Sequence, residues 1–372
     1  MIGFLRGRAR RRVLAVVVAL LATQLGSLVA PAYACGCGAM IPDTARRVGV
    51  AREVSVVRWD GTQEQIVMRL TVDGDSDRAA WVMPVPRRAT VKLGDPALFD
   101  QLDAAAAPVH RERYHFWPED GDWPLVSGDG GPRTGAPPGA GIGAQPPVDV
   151  VDRQKLGPFD VARLTATDPN ALGTWLNTNG FTLPPRLSGA LQPYVKNRWE
   201  YVAVRLAPET PGTVLRGALD PLHLTFSADR PVYPMRLSRL ARTPQSLGLY
   251  VLAPHRMEPA SAIGGERPRV TFAGKVTAKS GPLAELAQGT PFLTAVGQEF
   301  PTPSLIDGDH VLRRAASDTA FQQVIYEDRL RKVAGIPAWL LTVVGGLALV
   351  VTAVTLPVVR RSRRPAPTPE TP

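Results

Sequence analysis

The sequence predicts an α+β fold of β-rich antiparallel sheets with a few packed helices, set between an N-terminal signal peptide and one C-terminal transmembrane helix. Three observations predict it. Short segments with apolar residues at every second position recur from Val48 to Val276. Helical periodicity is confined to a few brief, punctuated stretches. Long apolar runs lie near both ends, each beside a cluster of arginines.

At the N-terminal end, Arg6, Arg8, Arg10, Arg11 and Arg12 precede the apolar run Val13–Ala30, and Ala32-Tyr33-Ala34 supplies the small residues of a cleavage site. Residues 1–34 therefore read as a signal peptide, either cleaved so that Cys35 becomes the first mature residue or left uncleaved as an anchor whose 18 mostly apolar residues just span a bilayer. Cys35 and Cys37, in Cys35-Gly36-Cys37-Gly38, form a candidate disulfide or redox pair, and Cys35 is also a candidate lipid attachment point. A bridge between cysteines two apart is strained, hence labile.

The first external lobe is expected over 35–127. Val48–Val57, Ile66–Val72 and Ala79–Pro86 read as strands, with turns at Trp59-Asp60-Gly61 and Asp73–Asp77. The triple aspartate lacks the Gly and Glu that a calcium loop needs, since Arg78 and Pro84 occupy those positions. Asp95 and Pro96 start a helix that runs through Ala104–Ala107. The run His110–Trp117 alternates so that Arg111, Arg113 and His115 share a face; with Trp117 and Trp123, His115 is a candidate binding surface.

Residues 128–147 hold seven glycines and five prolines, a loop or linker that cannot build a core. The second lobe, 148–318, begins with strands and continues with helices at Asp168–Asn177 and Leu187–Asn197. Strands follow at Tyr201–Leu206, Leu222–Phe226, Val232–Leu237, Leu247–Ala253 and Val270–Val276. Residues 319–335 read as a juxtamembrane helix. Residues 336–359 carry no charge and are long enough to cross a bilayer. Arg360, Arg361, Arg363 and Arg364 then stop transfer, so 360–372 becomes a short basic, Pro-rich cytoplasmic tail.

The net charge of +10 follows from these ends. Of 43 basic and 33 acidic residues, nine arginines and Glu370 lie in the terminal segments, leaving 34 against 32. The basicity thus reports membrane topology, and no nucleic-acid partner is expected. Two cysteines and five scattered histidines supply no standard zinc set, and no cofactor or metal is expected. The nucleophile elbow, the phosphate-binding Walker loop and the dinucleotide fingerprint are all missing from the sequence.

The Ala34-Cys35-Gly36-Cys37-Gly38 start, the Trp81-Val82-Met83-Pro84-Val85-Pro86 segment and the strands Tyr201–Leu206 and Leu222–Leu237 together resemble the uncharacterised bacterial family DUF2330. The resemblance implies an exported, membrane-anchored protein and carries over no catalytic residues.

The leading expectation is a single-pass cell-membrane protein with its bulk outside, acting as a non-enzymatic envelope binding or structural module. Its partners would be the membrane and an envelope polymer or another membrane protein. Two alternatives stand beside it: a thiol-redox or metal-handling protein using Cys35 and Cys37, and a hydrolase with an unrecognised site. Enzyme and non-enzyme readings both stay open.

Overall fold

A computed structural model describes residues 37–42, 46, 48–119, 152–156, 159–165, 171–206 and 214–362. The signal segment 1–34, Cys35, Trp123, the Gly/Pro-rich stretch 128–147 and the tail beyond Ser362 lie outside the described residues.

In chain order, β1 (Ala39–Pro42), β2 (Val48–Trp59), β3 (Gln63–Gly74), β4 (Ala79–Val85) and β5 (Thr90–Leu93) lead to helix α1 (Ala97–Ala105) and β6 (Val109–His115). β7 (Asp152–Leu156) and β8 (Phe159–Thr165) precede the helix pair α2 (Ala171–Thr178) and α3 (Pro185–Lys196). Then come β9 (Glu200–Leu206), β10 (Gly217–Ala218), β11 (Leu222–Ser227), β12 (Val232–Tyr233), β13 (Gln245–Ala253), β14 (Met257–Pro259) and β15 (Arg269–Lys275). Helix α4 (Pro282–Leu286) is followed by β16 (Phe292–Phe300), β17 (His310–Arg314), β18 (Phe321–Gln322), β19 (Val324–Leu330), β20 (Lys332–Val333), β21 (Ile336–Pro337) and helix α5 (Ala338–Ser362).

The chain divides into two compact units, one ending at Ala107 and resuming from Gly135 to Gln322, the other Pro108–Thr134 with Gln323–Pro372. The first unit holds two large sheets. One has five strands in the order β1-β4-β9-β8-β7; the other has nine, β18-β15-β16-β13-β2-β3-β11-β5, with β10 also against β3. A small sheet, β12-β17-β14, completes the unit. Strands from both sides of residues 128–147 interleave: β9 pairs with β4, and β11 with β3 and β5. That stretch therefore does not divide the sheets.

Side-chain alternation sorts the buried residues into layers. Trp81, Met83, Val202 and Val204 from the five-stranded sheet share a core with Ile66, Met68, Leu70 and Leu249 from the nine-stranded one. The outer face of the smaller sheet, at Ala80, Val82 and Ala203, packs with Leu172, Trp175 and Leu176 of α2 and Leu187, Leu191 and Tyr194 of α3. The outer face of the larger sheet, at Val54, Val56, Val67 and Leu293, is covered by Leu98, Phe99 and Leu102 of α1 and Leu283 of α4. The unit is thus helix, sheet, sheet, helix, and strands such as β4 are buried on both faces.

A β-bulge between Val50 and Arg52 controls which side chains reach the inner core. Val48 and Val50 face that core, and so does Val57, whereas Val54 and Val56 face the helices. Past the bulge the odd-numbered residues turn inward, which sends Glu53 and Ser55 into the space between the sheets.

Three expectations need correction. Residues 319–335 do not form a helix: β18, β19 and β20 lie within them, and β21 follows at Ile336–Pro337. The charges expected on a wet helix face are cross-strand partners instead, with Arg113 holding Asp328 through two bonds of 2.6 and 2.8 Å. The strand expected at Val232–Leu237 stops at Tyr233, because the Asp309 carboxylate accepts from the Met235 and Arg236 N–H groups at 2.8 and 2.9 Å and draws Arg236–Leu240 into a 3₁₀ turn. The sheets are also not wholly antiparallel, since β13 runs parallel to β2 and β19 parallel to β6.

Close packing at the N-terminal segment yields a test. A Cβ at Gly38 would lie 2.5 Å from the Val82 carbonyl oxygen and 2.8 Å from Trp81 Nε1. G38A is expected to cost about 1–3 kcal/mol of stability by overpacking, read from urea unfolding of detergent-solubilised protein.

Candidate functional site

Three places combine chemistry with position. The first is buried. Glu53 is only 2% exposed, and one carboxylate oxygen accepts the Cys37 N–H at 2.9 Å. The other accepts the Tyr233 hydroxyl, whose oxygen also lies 2.6 Å from Ser55 Oγ. The Cys37 sulfur is 3.6 Å from that of Met68. Burial pushes the Glu53 carboxyl up to about 7, against the opposing bonds from Cys37 and Ser55. Glu64, also buried on the inner face, accepts the Val232 N–H and is held well above the usual carboxylate range by burial.

The second place is an open cleft of about 390 Å³ on the helix-covered side of the nine-stranded sheet. β3 contributes Gln65 and Val67, β11 His223, and β5 Lys92; α1 and α4 contribute Leu98, Glu285 and Leu286. Arg58 closes one side, bonded to the Gln288 carbonyl at 2.9 Å and to Asp60 at 3.0 Å. His223 Nε2 is 2.9 Å from Gln65 Oε1, so this nitrogen carries the proton. Burial, then the neighbouring Lys92 charge, pushes His223 down to about 4, and the ring is neutral at physiological pH. Gly94 at the rim has no room for a side chain: a Cβ would meet Val67 Cγ1 at 2.9 Å.

The third place is the paired ribbon β6–β19 in the second unit. One face carries His110 bonded to Glu327 at 2.9 Å and Arg329 bonded to Glu112 at 3.0 Å; the other carries Arg113, paired with Asp328 and lying 5.8 Å from the Tyr326 ring centroid. Arg111, Arg113 and His115 do share a face, as their registers with Tyr326, Asp328 and Leu330 require. His115 Nδ1 donates to the Trp117 carbonyl at 2.7 Å. Trp117 is 62% exposed and packs edge-on against Phe116.

The histidines take separate partners. His255 pairs with Asp318 at 2.8 Å, and His310 is buried near the Phe300 ring, pushed down to about 4 by burial. Among the described residues no three His, Cys, Asp or Glu side chains gather as a metal site. Sequence reasoning placed His115 and Trp117 on one strand and its exit and counted His223 among the histidines of a possible hydrolase site, but it did not single out Glu53, Tyr233 or Lys92. The bulge concealed Glu53, and the cleft joins segments distant in sequence.

These features define a class: a two-sheet α+β body in a chain whose helix Ala338–Leu356 is long and apolar enough to cross a membrane. Residues 31–313 match DUF2330, described as an uncharacterized protein conserved in bacteria, and the chain belongs to that family. No curated protein matches it. Among solved structures, baculovirus P35 aligns at 9% identity over 72% of this chain and 97% of its own, with a TM-score of 0.35. A mutated baculovirus P35 after caspase cleavage aligns at 7% identity over 71% and 99%, with a TM-score of 0.34.

Glu53 sets a pH dependence of stability. Between pH 4.5 and about 7 the folded chain keeps a proton that an unfolded chain has released, so this group's contribution falls as pH rises through that window. E53Q removes it. The stability difference between wild type and E53Q should shift toward the variant by up to about 3 kcal/mol from pH 5 to pH 8, in paired urea titrations. Glu64 is present in both proteins and cancels.

Proposed function

We propose that this is a single-pass envelope protein. Residues 1–34 direct export, the apolar segment 336–359 halts it, and the following arginines hold the C-terminus in the cytoplasm. The body then lies outside the cell membrane and acts as a non-enzymatic binding module. The cleft between α1, α4 and the β3–β11–β5 surface carries this reading. Its volume suits a small ligand or one segment of a polymer. A neutral Gln65–His223 pair, the exposed Lys92 and Glu285, and the apolar Val67, Leu98 and Leu286 suit a ligand bearing hydroxyl, amide and charged groups. Fragments of the cell-wall polymer have that chemistry.

A second reading gives Cys35 and Cys37 a thiol-redox or metal-handling role. It is favoured by the neighbours of Cys37: a second sulfur at Met68, and Glu53, an acid that titrates near neutrality.

Full-length protein in lipid nanodiscs, titrated with soluble cell-wall fragments, should bind them, and K92A/H223A should weaken binding about tenfold or more. No binding, or binding that the double variant leaves intact, overturns the cleft assignment. Protease added to intact cells should degrade the body and spare a C-terminal tag. For the thiol reading, intact mass should rise by two hydrogens on reduction in wild type and not in C37S.

A further inference from the structure

Hydrogen bonds within the second unit fix where β6 ends relative to the apolar helix. The Arg331 N–H donates to the His115 carbonyl at 2.9 Å, and the Arg331 carbonyl accepts from the Ala338 N–H at 2.8 Å. Ala338 is the first residue of the candidate span. One residue therefore bridges the exit of β6 to the start of the helix, and Phe116 and Trp117 follow β6 at that level.

The surface there has a definite character. Trp117 is 62% and Phe116 37% exposed, in an edge-to-face pair with ring centroids 5.2 Å apart. The β20–β21 hairpin, turning through Ala334 and Gly335 at positive φ, exposes Val333 and Ile336 on the same short segment. Arg331 and Lys332 are exposed between β19 and that turn. An edge-to-face aromatic pair, exposed aliphatics and cations around the start of an apolar helix match the headgroup region of a bilayer, where amphipathic rings and basic side chains both settle. The ion-paired ribbon holds this group at its height, and the His115 bond to the Trp117 carbonyl orders the turn that presents the indole.

We infer that Phe116 and Trp117 insert into the headgroup region of the membrane beside α5, as a second contact with the lipid that orients the β6–β19 ribbon on the bilayer. The inference rests on the reading of α5 as a membrane span. Its occupant is lipid, not the polymer or protein partner expected for His115 and Trp117 from sequence. It does not depend on which side of the membrane the body occupies.

The test uses full-length protein in vesicles of a phosphatidylglycerol and phosphatidylethanolamine mixture, with lipids brominated either just below the headgroup or deep in the acyl chains. Quenching of tryptophan emission is compared among wild type, W117F and W339F. Trp339 reports on the span and Trp117 on the proposed contact. W117F and W339F should each remove roughly half of the emission quenched by the shallow bromines. If W339F removes shallow-quenchable emission and W117F changes nothing, the inference is overturned while the anchor stands. If no emission is quenched at either depth, the anchor reading fails and the inference falls with it. Protection of Trp117 from aqueous acrylamide without any lipid quenching points to a protein or polymer cover and overturns the lipid assignment.

Discussion

A carboxylate in the middle of an apolar core is the constraint around which the first unit is arranged. Glu53 sits between two sheets, where an unsatisfied charge or even an unsatisfied neutral acid would be costly. Its oxygens are met by the Cys37 main chain, from the segment before β1, and by Tyr233, from the end of β12. The N-terminal segment, β2 and the distant β12 are thereby held to one point. The bulge in β2 is what delivers the carboxylate there, so a local irregularity and a long-range network are one feature seen at two scales.

The double burial of the sheets explains both the unbroken apolar strands and the placement of the helices. β4 is apolar along its whole length because Trp81 and Met83 fill the inner core while Ala80 and Val82 meet the helix pair. At the middle of the strand the large side chains Trp81 and Met83 lie inside, and the smaller Ala80 and Val82 lie where α2 and α3 approach. On the other sheet α1 and α4 cover only part of the outer face, and the cleft occupies the margin they leave beside β3, β11 and β5. The candidate binding place is thus a product of incomplete coverage, floored by Val67 and Leu98 and edged by Lys92 and His223.

Much of this was legible in the sequence where the signal is local. The three strands between Val48 and Pro86, the helices near Ala97, Ala171 and Pro185, the apolar span and the family resemblance all rest on periodicity, caps or short motifs, whereas β1 at Ala39–Pro42 went unread. Asp95 does accept the Ala97 N–H at the start of α1. What failed was the reading of segments whose structure is decided elsewhere. Residues 319–335 mix apolar and charged positions that fit a helix or a strand, and the Arg113–Asp328 and Arg329–Glu112 pairs across to β6 settle the matter. Val232–Leu237 alternates well, yet Asp309 captures its N–H groups. Glu53 was invisible as an inward residue because strict alternation from Val48 assigns it to the opposite face.

The parallel pairing of β2 with β13 has a consequence for how the chain is made. β2 and β3 are neighbours in sequence and pair as a hairpin, but the other edge of β2 is covered only by Gln245–Ala253 of β13. Until that strand is synthesised, a long and strongly apolar edge stays open to wrong partners. Contacts of this sequence separation are slow to form. A chain with such an order of assembly gains from staying extended until most of it is available, so that its two sheets close together in one late event.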